Sequence, residues 1–266
     1  MKNHVRKALI DCKPTLGTWM QIGHPVPAEI LANAGYEWVC VDAEHTDICI
    51  DGIIEIMRAM AHTSTIPVVR VSQNSTIEIR QMLDAGAKGI IVPMVNTAED
   101  AEKAVAAAKY PPQGVRGFGY CRANKHGVEF DQYVKNANDD IFVVAQVEHI
   151  DGVNNIDEIL AVDGIDGVFI GPYDLSGSLK IPGKLDDARV QDALQKVLDA
   201  CHCAGKSAGL HVVAPEPEEI KAALNKGFTL LALSVDMLFM NRLARECLAQ
   251  AQTVVGENLM TKGSIS

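Results

Sequence analysis

Four apolar runs in this chain end in groups that can carry charge or move a proton. "WVCVDAEH" (38–45) closes on Asp42, Glu44 and His45, and "PVVR" (67–70) on Arg70. "VVAQVEH" (143–149) closes on Gln146, Glu148 and His149, and "GVFIGPYD" (167–174) on Asp174. Glu148 and Asp174 could supply oxygen ligands to a hard divalent cation such as Mg2+ or Mn2+, with water in the remaining positions. The alternative is a pair of carboxylates ion-paired to Arg70. The Arg70 guanidinium suits a carboxylate or a developing enolate oxygen, because its planar fork can hold two oxygens; otherwise it only neutralises Glu148. His45, beside Asp42 and Glu44, could be an acid–base imidazole oriented by a carboxylate.

Absent residues narrow the chemistry. A Schiff-base aldolase needs a lysine inside its mouth, yet Lys88 and Lys206 precede strands and Lys180 falls in a loop. "HVVAPEP" and "SVDMLF", after the last two strands, lack a Gly/Ser-rich phosphate cradle. An unphosphorylated substrate bearing carboxylates is expected. No GxSxG nucleophile motif is present.

The elements that must position these groups follow from periodicity. β-rich runs predict strands near 15–22, 38–42, 66–71, 89–93, 141–147, 167–170, 207–212 and 229–234, separated by stretches of helical period. Gly35, Gly86, Gly164, Gly205 and Gly227 sit where left-handed helix caps belong, and Thr97 with Asp100 reads as a capping box. Strict alternation of strand and helix implies a parallel sheet, and eight repeats imply a (β/α)8 TIM barrel. An open doubly wound sheet is the alternative, but "QIGHPVPAE" is not GxGxxG. In a barrel the strand ends converge on one mouth, which explains four polar endings at once. Residues 110–140 read as one long irregular stretch, functional or ordered by a neighbouring subunit. Residues 1–254 read as a single domain and 255–266 as a frayed C-terminal tail.

With 34 acidic against 24 basic residues, the net charge of −10 over 266 residues disfavours nucleic acid and anionic membranes as partners. It does not disfavour small anions in a cleft where an arginine or a metal reverses the local field. Seven cysteines, odd in number and without CxxC, read as reduced packing thiols. Cys201 and Cys203 should face different directions on a helix. The start lacks the apolar core of a signal peptide, so a cytoplasmic protein is expected.

"VDAEH", "PVVR", "LDAGAKGIIVPMV", "YPPQGVRGFG", "QVEH" and "DGVFIGPYDLSGSLK" occur in this order from about residue 15 to 240. Together they resemble the HpcH/HpaI aldolase family, metal-dependent pyruvate aldolases that include 2-dehydro-3-deoxyglucarate aldolase. The resemblance implies cleavage of a 2-keto-3-deoxy sugar acid, or a related 4-hydroxy-2-oxo acid, into pyruvate and an aldehyde. It implies Glu148 and Asp174 as ligands of Mg2+ or Mn2+, with Co2+ a further candidate. Arg70 and Gln146 would meet the pyruvyl group, and the turn of Gly171, Tyr173 and Asp174 its carboxylate. His45, supported by Asp42, would transfer the proton, and Asp84 would reach a neighbouring active site. A hexamer built as a trimer of dimers, with the last helix exchanged, is also implied. Departures from the family pattern fall at His149, at 118–127 and at His211, and bear on the aldehyde. Citrate synthase-like enzymes and oxaloacetate decarboxylases share the enolate and differ in the electrophile. A non-catalytic metabolite-binding barrel would lack the metal pair or His45.

Overall fold

Strands with apolar residues on both faces need cover on both sides, which a closed parallel sheet wrapped in helices supplies. The computed structural model describes residues 3–263, with side chains through 256. Its strands are β1 (Thr15–Met20), β2 (Trp38–Asp42), β3 (Ile66–Arg70), β4 (Gly89–Val92), β5 (Phe142–Val147), β6 (Gly167–Ile170), β7 (Ser207–Val212) and β8 (Leu230–Val235). They pair in sequence order, all parallel, and β8 returns to β1 to close the barrel. Every strand end lies within two residues of the sequence-based expectation.

The helices are α1 (His4–Ile10), α2 (Pro25–Asn33), α3 (Ile50–Ala59), α4 (Thr76–Ala85), α5 (Ala98–Ala108) and α6 (Phe130–Asp140). They continue with α7 (Ile150–Asn154), α8 (Ile156–Ala161), α9 (Pro172–Ser178), α10 (Ala188–Ala204), α11 (Pro217–Lys226) and α12 (Asp236–Gly263). The five expected cap glycines all have positive φ, and Thr97 and Asp100 form the capping box that starts α5. Cys201 is buried and Cys203 exposed on α10. No described helix is long and apolar enough to cross a membrane.

The barrel is filled by large rings set against glycines. A Cβ at Gly17 would lie 2.0 Å from the Trp38 ring, and one at Gly89 2.1 Å from Phe142. The floor is an element that periodicity did not reveal. Helix α1 buries Val5 and Leu9, one turn apart, in the same apolar cluster as Trp38, Phe142 and Val144. Asn3 caps it and ties it down, donating to the carbonyls of Lys88 (3.0 Å) and Asp140 (2.8 Å). Arg6 pairs with Asp166 at 3.0 Å.

The expectation for 110–140 is corrected. Part of the stretch is helical: a 3-10 turn at Arg122–Gly127 precedes α6. It lies on the face where the strands begin, away from the mouth of its own barrel. There Lys109 donates to the carbonyls of Asn138 (2.8 Å) and Ile141 (2.6 Å). Arg122 reaches the carbonyls of Ala85 (3.0 Å) and Met57 (2.6 Å), where α4 and α3 end. In "FDQYVKNANDD" only Ala137 is fully buried, so the helix carries almost no apolar stripe to read. The segment from 255, expected to fray, continues α12 as far as Gly263, and 264–266 lie outside the described residues.

If α1 is the barrel's floor, Leu9→Ala should cost about 2–5 kcal/mol of stability. Ile10→Ala, at an exposed position on the same helix, should cost about 0.5 kcal/mol or less. Chemical denaturation of both variants checks this, and equal losses would rule out the assigned role.

Candidate active site

Asp42 and Arg70 are register partners at the ends of β2 and β3. Arg70 places Nε 2.9 Å from Asp42 Oδ1 and Nη2 2.6 Å from Oδ2, a two-pronged pair in which the Asp42 carboxylate is fully buried. The guanidinium also lies 4.5 Å over the Trp19 ring from β1. Asp42 accepts further hydrogen bonds from Gln21 Nε2 (2.8 Å) and from the backbone N–H groups of Glu44 (3.1 Å) and His45 (3.3 Å). Burial alone would raise its pKa, but Arg70 and these donors outweigh it and hold the carboxyl below its ordinary value.

Two of the three Arg70 nitrogens are thus committed to Asp42. The third, Nη1, faces Glu44 Oε2 at 3.1 Å and Gln146 Oε1 at 3.5 Å. The partners of Arg70 are Asp42 and Glu44, and no direct contact with Glu148 is made. One edge of the guanidinium remains to meet an anionic oxygen.

The expected pairing of the His45 imidazole with Asp42 is not formed, because Arg70, Gln21 and two backbone N–H groups occupy that carboxylate. Asp42 fixes the His45 backbone, and the imidazole has Glu44 as its carboxylate neighbour, Nε2 to Oε2 at 3.7 Å. Burial pushes the Glu44 carboxyl above its ordinary value. His45 itself is 61% exposed and stands at the edge of the cleft.

Gln146 and Glu148 close β5. Glu148 is buried, and both its oxygens are already held: Oε1 by the Met94 N–H at 2.9 Å, Oε2 by Gln146 Nε2 at 2.6 Å. Met94 presents that N–H from a left-handed backbone, φ 53°, a conformation costly for a non-glycine residue. Burial pushes the Glu148 carboxyl above its ordinary value, the two donors oppose this, and the charge of Asp174 adds to the rise. Gly171 allows the approach: a Cβ there would stand 2.9 Å from the Glu148 Cβ and 3.0 Å from Oε2. Gly171 caps α9, whose first turn carries Asp174 and leaves the Tyr173 and Asp174 N–H groups without intrahelical partners.

Arg70, Gln146, Glu148, Gly171 and Asp174, with His45, share a cleft of about 320 Å3 with Trp19, Gln21, Phe169, Leu185, His211 and Val213. Among the described residues, no group of three or more His, Cys, Asp or Glu side chains is arranged to hold a metal. Two mutually repelling carboxylates on one cleft nevertheless fit a hard divalent cation that keeps water or substrate oxygens as its other ligands. Such an ion would relieve the repulsion that Glu148 feels from Asp174.

Other expected residues lie elsewhere. Asp84, near the end of α4, is absent from the cleft lining and accepts from Arg116 Nη2 at 2.7 Å. His149 turns from the cleft to cap α7, Nδ1 accepting from the Asp151 N–H at 3.2 Å. A serine or threonine hydroxyl could fill the same capping role. Residues 118–127 lie on the opposite face of the barrel. Trp19, Gln21 and the Met94 N–H were not anticipated, although Gln21 follows an apolar strand much as Gln146 does.

A family model described as HpcH/HpaI aldolase/citrate lyase matches residues 15–241. The hydroxypyruvate/pyruvate aldolase of Roseobacter denitrificans is 40% identical over 237 residues, 88% of this chain and 91% of that protein. The 4-hydroxy-2-oxo-heptane-1,7-dioate aldolase of Salmonella paratyphi C is 37% identical over 244 residues, 91% of this chain and 92% of that one. A structure of an HpcH/HpaI aldolase/citrate lyase family protein from Burkholderia cenocepacia superposes with a TM-score of 0.90 at 32% identity. It covers 94% of this chain and 99% of that one.

Asp42→Asn should destabilise the protein by about 3 kcal/mol or more at pH 7, since it leaves Arg70 charged and half-paired in a buried site. The folded-state pKa of Asp42 is depressed, so its contribution is present above the ordinary 3.8 and is lost as pH falls through the lower folded value. The gap between wild type and variant in urea denaturation should therefore narrow below about pH 4. A gap that stays constant would mean the pair adds nothing through charge.

Proposed function

The chain belongs to the HpcH/HpaI aldolase/citrate lyase family, and we propose that it is a metal-dependent pyruvate aldolase. Its reaction is the reversible cleavage of a 4-hydroxy-2-oxo acid, a 2-keto-3-deoxy sugar acid among them, into pyruvate and an aldehyde. The observation that carries this reading is the joining of Arg70, Gln146, Glu148 and Asp174 in one cleft, with His45 at its edge.

The first-turn N–H groups of Tyr173 and Asp174 hold the substrate carboxylate. Arg70 Nη1 and Gln146 Nε2 are within reach of the 2-oxo oxygen, where negative charge develops as the C3–C4 bond breaks. Glu148 and Asp174 would hold a divalent cation, which when bound would supply Lewis-acid stabilisation of the developing charge. His45 takes the proton from the 4-hydroxyl as the bond electrons move to C3, and Glu44 beside it stabilises the imidazolium. The enolate then takes a proton from water at C3, which completes pyruvate, and His45 returns its proton to solvent. Asp42 is a positioning residue: it aims Arg70 and touches no substrate.

The reading extends to Mg2+ or Mn2+ as the ion, Co2+ being the alternative, and to a cytoplasmic enzyme with a single catalytic domain over 1–254. It also includes a trimer of dimers in which α12 is exchanged and Asp84 reaches a neighbour's cleft. The exposed Met240, Leu243 and Leu248 on α12 support a packed partner there.

Chelation should abolish pyruvate release across a panel of 4-hydroxy-2-oxo acids, and Mn2+ or Mg2+ should restore it. Full activity in excess EDTA, or a lysine adduct trapped by borohydride, would overturn the proposal.

His45→Ala separates the two halves of the reaction. Aldol cleavage should fall by about a hundredfold, while oxaloacetate decarboxylation, which takes no proton from an alcohol, should fall much less. Equal losses at saturating Mn2+ would show that His45 orders the site instead of moving the proton.

A further inference from the structure

β1 leaves the sheet at Met20, and the backbone N–H groups just beyond it need acceptors. On that side its neighbour β8 ends at Val235, the register partner of Trp19. The residue that follows, Asp236, supplies the acceptors from its side chain. Its Oδ1 accepts from the Gln21 N–H and its Oδ2 from the Ile22 N–H, each at 2.9 Å. Oδ1 also takes the Met237 N–H at 2.8 Å, one of the donors left free at the start of α12. Asp236 is buried and is absent from the cleft lining.

A helix start does not need this arrangement. Serine, threonine or asparagine satisfies such a donor with one oxygen, and a buried carboxylate costs far more to desolvate. Two of the three donors on Asp236 come from the exit of β1, and Gln21 carries their constraint onward. The Gln21 Nε2 donates to Asp42 Oδ2 at 2.8 Å, the same oxygen that Arg70 Nη2 meets at 2.6 Å. One carboxylate oxygen thus receives an amide from β1 and a guanidinium from β3. A shift of the Gln21 backbone moves a donor on the group that aims Arg70. Asp236 also stands where a long uncovered helix joins the barrel, since beyond Phe239 every side chain through Val255 is exposed.

We infer that Asp236 is a positioning residue for the enolate chemistry: through Gln21 it fixes Asp42, and through Asp42 the edge of Arg70 that meets the substrate. It touches no substrate itself. The inference rests on the aldolase reading, in which Arg70 stabilises the oxygen that gains charge. A donor aimed at developing charge governs the rate more than it governs ground-state binding, so a misplaced Arg70 should be felt in kcat.

The experiment follows exchange of pyruvate methyl protons for deuterium in D2O at saturating Mn2+, which needs the enolate and no aldehyde. Asp236→Asn keeps the shape of the side chain but turns one acceptor into a donor that faces an N–H. Its kcat for exchange should fall by about tenfold or more, with a much smaller change in the KM for pyruvate. Asp236→Ser gives the same readout if the asparagine variant does not fold. Gln21→Met keeps the length of its side chain and loses the amide. In that background Asp236→Asn should lower kcat by about twofold or less, because the route to Asp42 is already cut. An equal fold loss in both backgrounds overturns the role of Asp236. So does an unchanged kcat in the asparagine and serine variants, even if their melting temperatures fall. A wild type that exchanges no methyl protons with Mn2+ overturns the aldolase reading itself, and this inference with it.

Discussion

The buried ion pair between Asp42 and Arg70 is the constraint on which the rest of the mouth depends. Removing two charges from water is costly, and the cost is offset only where geometry is good and the remaining lone pairs are satisfied. Here both conditions hold: two short N–H···O contacts on a fully buried carboxylate, with Gln21 and two backbone N–H groups completing it. From this pair the order spreads. Gln146 stands between Arg70 and Glu148, Glu148 takes the Met94 N–H, and Gly171 lets Glu148 sit against the turn that carries Asp174. Six of the eight strands are joined through one chain of contacts, each group with little room to move. A site that must stabilise charge as it develops benefits from donors that need not reorient.

The barrel was legible because its strands are apolar throughout and its helices are capped by glycine, and both signals are local. The site was legible for a related reason: an apolar strand has no structural use for a terminal Arg, Glu or Gln. What could not be read was which polar group takes which partner. Asp42 sits three residues from His45 in sequence, which suggests a dyad, but its true partner lies one strand over in the register of β2 with β3. Of the two acids just before His45 in sequence, Glu44 is the carboxylate nearest the imidazole. Helix α1 escaped notice because seven residues with two buried side chains give too short a pattern. Helix α6 escaped for want of an apolar stripe.

The two faces of the barrel handle charge differently. At the mouth, Arg70, Glu148 and Asp174 line the cleft, and Arg70 is held by the carboxylates of Asp42 and Glu44. At the base, Lys109 and Arg122 are spent on backbone carbonyls, and Arg116 lies against the Tyr110 ring at 4.6 Å while pairing with Asp84. Burial pushes Lys109 down to about 8, but its amine is held by the Asn138 and Ile141 carbonyls, which makes its role structural. In an acidic chain of net charge −10, Arg70 is the cation that a small anion meets at the mouth, and a divalent ion on Glu148 and Asp174 would offset their charge there.

The floor helix also bears on how the sheet closes. The groups that α1 rests on lie at Lys88, Asp140, Asp166 and Ser207, the last donating its hydroxyl to the Leu9 carbonyl. Helix α1 is therefore held by elements that come much later in the sequence. Until β8 is made, the cluster around Val5 and Leu9 lacks Leu230, Ala232 and Val235 and β1 has one edge unpaired, so an unclosed sheet exposes an edge that other chains could pair with.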